Sequence, residues 1–184
     1  MTSLYTSLLE LDFLGQVNYT FTGDIREDDY MLTLPDGRKF VVQWADVPAY
    51  GQVLETSLSD LFVLQLDPDI ERIMDKEEIM FVVCHEIAHT DTDLFVLRHY
   101  KWKEAKLEMF VDRRAIEYGA SKEIQMSAIR KLRSAFLQRM QVHGKGVGYM
   151  FVRLITKLYE LKRNKAWFLI NHGCCINRIL NNFN

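Results

Sequence analysis

The chain has 184 residues, 48% of them hydrophobic with eleven phenylalanines, and a net charge of −2. That length suits one domain whose core needs no disulfide staple. It excludes a membrane span, since every apolar run falls far short of about 18 residues. The three cysteines, Cys84 and the vicinal Cys174 and Cys175, form no disulfide framework and fit a reducing compartment. Met1 to Tyr5 has no basic segment leading into an apolar block, so no secretory signal is expected and a cytoplasmic protein is.

The small net charge hides a division. Residues 1–120 hold 11 Lys and Arg against 23 Asp and Glu, a net of −12, while residues 121–184 hold 12 against 2, a net of +10. Such a chain either neutralises itself internally or turns a basic face to an acidic partner. Internal neutralisation is the expectation, with weak nucleic-acid contact through residues 121–184 at most.

Along the chain, Leu4, Leu8, Leu11 and Phe13 recur near helical spacing and predict a short N-terminal helix. From 16 to 44 the period changes to two. Val17, Tyr19 and Phe21 alternate with polar residues, and Met31, Thr33, Phe40 and Val42 continue the pattern around a Pro35-Asp36-Gly37 turn. Leu61–Leu66 reads as another strand, stopped by Asp67-Pro68. Asp75 with Glu78 forms the pattern of a capping box and opens a helix to about Thr90. Lys103 to Tyr118 is a second helix with Gly119 as its stop, and Ser121 caps a third, running to about Val142. One or two further helices are expected within 149–182. The class is therefore α+β, a small N-terminal sheet with helices after it.

Chemistry concentrates in Cys84-His85-Glu86-Ile87-Ala88-His89. Residues i and i+4 share a helical face, so both imidazoles can reach one ion, and neutral imidazole suits Zn²⁺. Glu86 follows the first ligand and can polarise a water and carry its proton. Ile79, Met80, Phe81, Val82, Val83 and Ile87 make this helix apolar nearly all round, hence buried. Histidines there need partners, which an ordinary surface helix would not supply. Position 95 is Phe, which excludes a metzincin, and no Glu-Gly-Cys segment upstream supports a deformylase. The next helix offers Glu108 and, one turn later, Asp112.

With His85-Glu86-x-x-His89 and Glu108-Met-Phe-Val-Asp112, residues 58–120 resemble the gluzincins, most closely in size the minimal ImmA/IrrE-like ones. The resemblance implies Zn²⁺ held by His85, His89 and Glu108, with Asp112 orienting His85 and Glu86 as general base. It implies a metallopeptidase acting on a protein or peptide substrate. It also implies that the Leu61–Leu66 strand is the sheet edge along which substrate pairs. His99, Glu104 and Asp112 itself remain competing ligands. Tyr100, His143, Tyr149 and His172 are open candidates for stabilising the oxyanion. The His143–Gly148 segment lacks the ending of a phosphate loop and reads as a turn. His172 with Cys174 and Cys175 lacks ligand spacing.

The expected organisation is one zincin-like domain over 1–184. It comprises a sheet-rich part (1–66), metal-site helices (67–120) and a basic helical C-terminal part (121–184) with extra helices. The other-class alternative is a catalytically idle zincin-like binding protein that uses the basic half. The presence of Glu86 favours the enzyme.

Overall fold

The computed structural model describes residues 2–21, 23–47, 50–91 and 104–142, the last stretch without the side chains of 104–109, 133, 136, 137 and 140–142. The elements are α1 (Leu4–Leu11), a 3₁₀ turn (Leu14–Gln16), β1 (Asn18–Tyr19), β2 (Tyr30–Thr33), β3 (Lys39–Trp44), β4 (Gly51–Glu55), β5 (Leu61–Leu66), α2 (Ile70–Ile73), α3 (Lys76–Ala88), α4 (Glu104–Glu117) and α5 (Lys122–Val142). The fold is α+β: a mixed sheet in the N-terminal half, then helices. No helix of the described residues is long and apolar enough to cross a membrane. The helices expected within 149–182, and His99, Tyr100, His143, Tyr149, His172, Cys174 and Cys175, lie outside the described residues.

Two aliphatic strands organise the sheet. β3 and β5 run parallel through six registered pairs, from Lys39 opposite Leu61 to Trp44 opposite Leu66. The far edge of β3 is shared by β2, antiparallel, and the short parallel β1. β4 closes the other side, antiparallel to β5, with Gly51 opposite Leu66. Leu61–Leu66 is therefore an interior strand and not the sheet edge. Its VLQL core is buried on both faces. The edge is β4, which sequence reading did not identify.

Period two holds in β2, and the structure sets which of its faces is inward. The inward residues of β2 and its turn are Leu32 and Leu34, while Met31 is exposed. A shift of one residue along a strand exchanges its faces. Phe21, grouped with the same alternation, lies beyond β1 and is 89% exposed. On the face away from α3, Gln43, Gln65 and Gln52 stand in register across three strands. Gln65 donates to Gln43 at 3.3 Å and Gln52 to Gln65 at 2.7 Å, while Gln43 donates to the Asp24 carbonyl at 2.9 Å and to Asp29 at 2.8 Å.

α3 is the central helix, packed against α1, α4, α5 and the β4–β5 side of the sheet. Asp75 accepts the Glu78 N–H at 3.0 Å and Glu78 accepts the Asp75 N–H at 2.9 Å, the reciprocal cap its sequence predicts. Every residue from Glu78 to Ala88 is buried, so the all-round apolar reading holds. α5 is fastened to α3 and to the turn after β5 by charge. Lys131 pairs with the buried Glu78, and Arg139 forks onto Asp67 at 2.8 and 3.0 Å and reaches Asp69 at 2.9 Å. Two cations of the basic half are thus neutralised by the acidic half.

Candidate metal centre

The buried middle and end of α3 carry His85 and Glu86, 8% and 9% exposed. His89 follows as the C-cap, half-buried and still in right-handed helical conformation, so the i and i+4 positions keep one face. The two imidazole rings are 5.0 Å apart and nearly perpendicular, and Phe81 packs at 6.3 Å from His85. Each ring is thus a neighbour of the other without stacking.

α4 supplies the counterpart. Asp112, 3% exposed, places Oδ1 2.9 Å from His85 Nδ1. An ionised carboxylate only accepts, so Nδ1 carries the proton of this contact, and in the neutral ring Nε2 is then the nitrogen with the lone pair. The tautomer is the one that metal ligation through Nε2 requires. Among the described residues, Asp112 Oδ2 is buried with no hydrogen-bond partner. An unmatched buried carboxylate oxygen is costly unless positive charge lies near it. The residues therefore fit a bound cation, and nitrogen donors with a carboxylate suit Zn²⁺.

Glu108 stands on α4 four residues before Asp112, so the two positions share a helical face; its side chain, like that of Glu104, lies outside the described set. Among the described residues, no three His, Cys, Asp or Glu side chains form a metal-holding group. The structure thus pairs His85 with Asp112 and, separately, His85 with His89, with Glu86 on the same helix, and supplies only the helix position of Glu108. Cys84 sits on α3 fully buried, and burial pushes its thiol up to about 12. It behaves as a small hydrophobe.

Two features had no sequence signal. The first is the clamp where the chain leaves α3. Asp91, two residues after His89, accepts from Tyr118 at 2.5 Å and from Arg38 at 2.8 Å, and Arg114 reaches its other oxygen at 3.1 Å. Arg38 also donates to Thr90 Oγ1 at 2.6 Å and pairs with Asp36 at 2.6 Å. Burial and the Asp91 hydrogen bond raise the Tyr118 phenol well above its ordinary value, keeping it a donor. The clamp ties the end of the histidine helix to the β2–β3 turn and to α4. The second feature is Gly51, at the start of the edge strand. A Cβ there would lie 3.1 Å from Val82 Cγ1 and 3.2 Å from both Cγ and Oε1 of Glu86. The edge-strand backbone thus runs directly beside the motif glutamate.

Comparison of the chain with protein-family models, curated proteins and solved structures gives no match.

Proposed function

We propose that the protein is a zinc-dependent metallopeptidase. The observation that supports this most is the buried His85–Asp112 contact, which selects the ligating tautomer of the first motif histidine. In this reading His85, His89 and Glu108 hold Zn²⁺. The ion, when bound, acidifies a water and polarises the scissile carbonyl. Glu86 takes the proton of that water and delivers it to the leaving amine. Its carboxylate, at the boundary of the buried helix, is shielded enough to act in a low-dielectric setting.

The substrate is an extended peptide. β4 is an edge strand of the described sheet, on the side that passes Glu86 at Gly51. A peptide adding to that edge is held by main-chain bonds irrespective of its sequence. The expectation attached to Leu61–Leu66 moves to Gly51–Glu55. Nucleic-acid binding through the basic half is not favoured, because Lys131 and Arg139 are paired internally.

The test is metal content together with hydrolysis of an unfolded protein such as casein. One zinc per chain, and cleavage that a chelator stops and zinc restores, is expected. Metal-free protein that folds fully and shows no cleavage after zinc addition would overturn the reading.

A further inference from the structure

Glu86 has a neighbour whose importance lies in what it lacks. Gly51 presents only hydrogen toward α3. Any side chain there would crowd Val82 and the Cγ and Oε1 of Glu86 at once, at 3.1–3.2 Å, closer than ordinary van der Waals contact. Val82 is buried in the packed centre of α3 and has little room to yield. The longer and more flexible glutamate side chain is the neighbour able to give way.

The position of this backbone is not left to the sheet alone. Tyr50, the preceding residue, is a non-glycine residue with φ of 67°, in the left-handed region. A bulky side chain rarely adopts that conformation unless its surroundings impose it. Here they do. The Arg139 guanidinium lies 4.1 Å over the Tyr50 ring, and the same guanidinium forks onto Asp67. The Asp67 N–H in turn donates to the Tyr50 carbonyl at 3.0 Å, and the Tyr50 N–H reaches the Val47 carbonyl at 3.4 Å. Tyr50 is 3% exposed. Ring, carbonyl and amide are all held, and the chain leaves this corner directly into Gly51.

We infer that Gly51, set against α3 by the Arg139-locked corner at Tyr50, is a positioning residue for Glu86. The strained corner fixes how closely the edge strand approaches the glutamate, and glycine leaves the space in which its carboxylate lies. This rests on the peptidase reading for its consequence, but the contact between positions 51 and 86 can be tested without activity.

The experiment pairs Gly51→Ala with Glu86→Ala. In Gly51→Ala, zinc stoichiometry is expected to stay at the wild-type value, kcat to fall about tenfold or more, and KM to change less than about threefold, because small misplacements of a reacting group cost rate rather than binding. Thermal stability is read in both backgrounds. Gly51→Ala is expected to lower Tm, and at least half of that loss is expected to vanish when Glu86 is alanine. Should Gly51→Ala alone fail to fold, recovery of folding in the double variant supports the inference, and equal failure overturns it. A kcat within twofold of wild type, zinc loss, or a Tm loss equal in both backgrounds also overturns it. Absence of activity in the wild type counts against the peptidase reading alone, and the Tm comparison then still decides the role of Gly51.

Discussion

His85 Nδ1 and Asp112 Oδ1, 27 residues apart in sequence, lie 2.9 Å from each other with both side chains buried. The contact joins α3 to α4 at the level of the histidine motif and leaves the second Asp112 oxygen without a hydrogen-bond partner among the described residues. In the zinc reading proposed above, this contact would hold the His85 ring with Nε2 turned to the ion.

Asp112→Asn therefore weakens zinc binding without abolishing it, by about 10–100-fold. The amide keeps the size of the carboxylate but no longer favours the Nδ1–H tautomer or contributes charge. Glu108→Ala is expected to lower zinc occupancy further, since it removes a ligand. Competition against a chromophoric chelator ranks the two. Normal affinity in Glu108→Ala, with loss in Glu104→Ala or His99→Ala, would reassign the third ligand.

Asp75 illustrates a pH dependence with a definite sign. The Glu78 N–H, with help from Lys131, holds the Asp75 carboxyl below its usual range. A depressed folded-state value means stabilisation that is complete above the unfolded value of about 3.9 and lost as pH falls through the lower one. Asp75→Ala is expected to cost about 1 kcal/mol at neutral pH, as loss of an N-cap does. The deficit shrinks in acid. Urea unfolding at pH 7 and pH 3 measures it, and an equal deficit at both would contradict the cap's ionic part.

The readable parts of this fold were those where local chemistry and burial agree. Pro35-Asp36-Gly37 joins β2 to β3 because Gly37, at φ of 94°, supplies the turn's left-handed residue. Asp75, Gly119 and Ser121 mark helix boundaries through hydrogen bonds and a positive φ that sequence chemistry anticipates. β4 escaped because GQVLE begins with glycine and is half-exposed, so neither hydrophobicity nor β propensity marks it. The interior place of Leu61–Leu66 depends on that strand. Tyr50 and Asp91 owe their roles to Arg139, 89 positions on, and to Arg38, 53 positions back, which no local pattern reveals. The histidine motif was legible because spacing itself encodes the shared helical face, whereas Asp112 as the partner of His85 was read only through the gluzincin resemblance.

Gly119→Ala is expected to destabilise the fold by about 2 kcal/mol or more, through strain and overpacking together. Gly119 has φ of 115°, and a Cβ there would collide with the side chain of Ser3. Ser3 is the N-cap of α1, accepting the Thr6 N–H at 3.1 Å, and the neighbouring Tyr5 N–H donates to the Tyr118 carbonyl at 3.0 Å. Displacing Ser3 loosens both the cap and the docking of α1 on the end of α4. Chemical denaturation of the variant reads the cost, and a change under 0.5 kcal/mol (about the size of an ordinary surface substitution) would contradict it.

Cys84 is expected to resist alkylation in the native state at pH 8 and to react once the chain is unfolded. Its thiol is buried and pushed up to about 12, so almost no thiolate is present. Peptide mapping after iodoacetamide treatment distinguishes this cysteine from the others. Rapid native labelling would show that α3 opens far more readily than its packing implies.

The most direct test of the central claim is Glu86→Gln, assayed beside wild type for zinc content and peptide hydrolysis in the same preparations. The amide preserves the size of the side chain and its place against Gly51 but cannot accept the proton of the attacking water. One zinc per chain in both proteins, with hydrolysis confined to wild type, is the predicted result. Hydrolysis by Glu86→Gln within tenfold of wild type, at full zinc occupancy, would contradict the account.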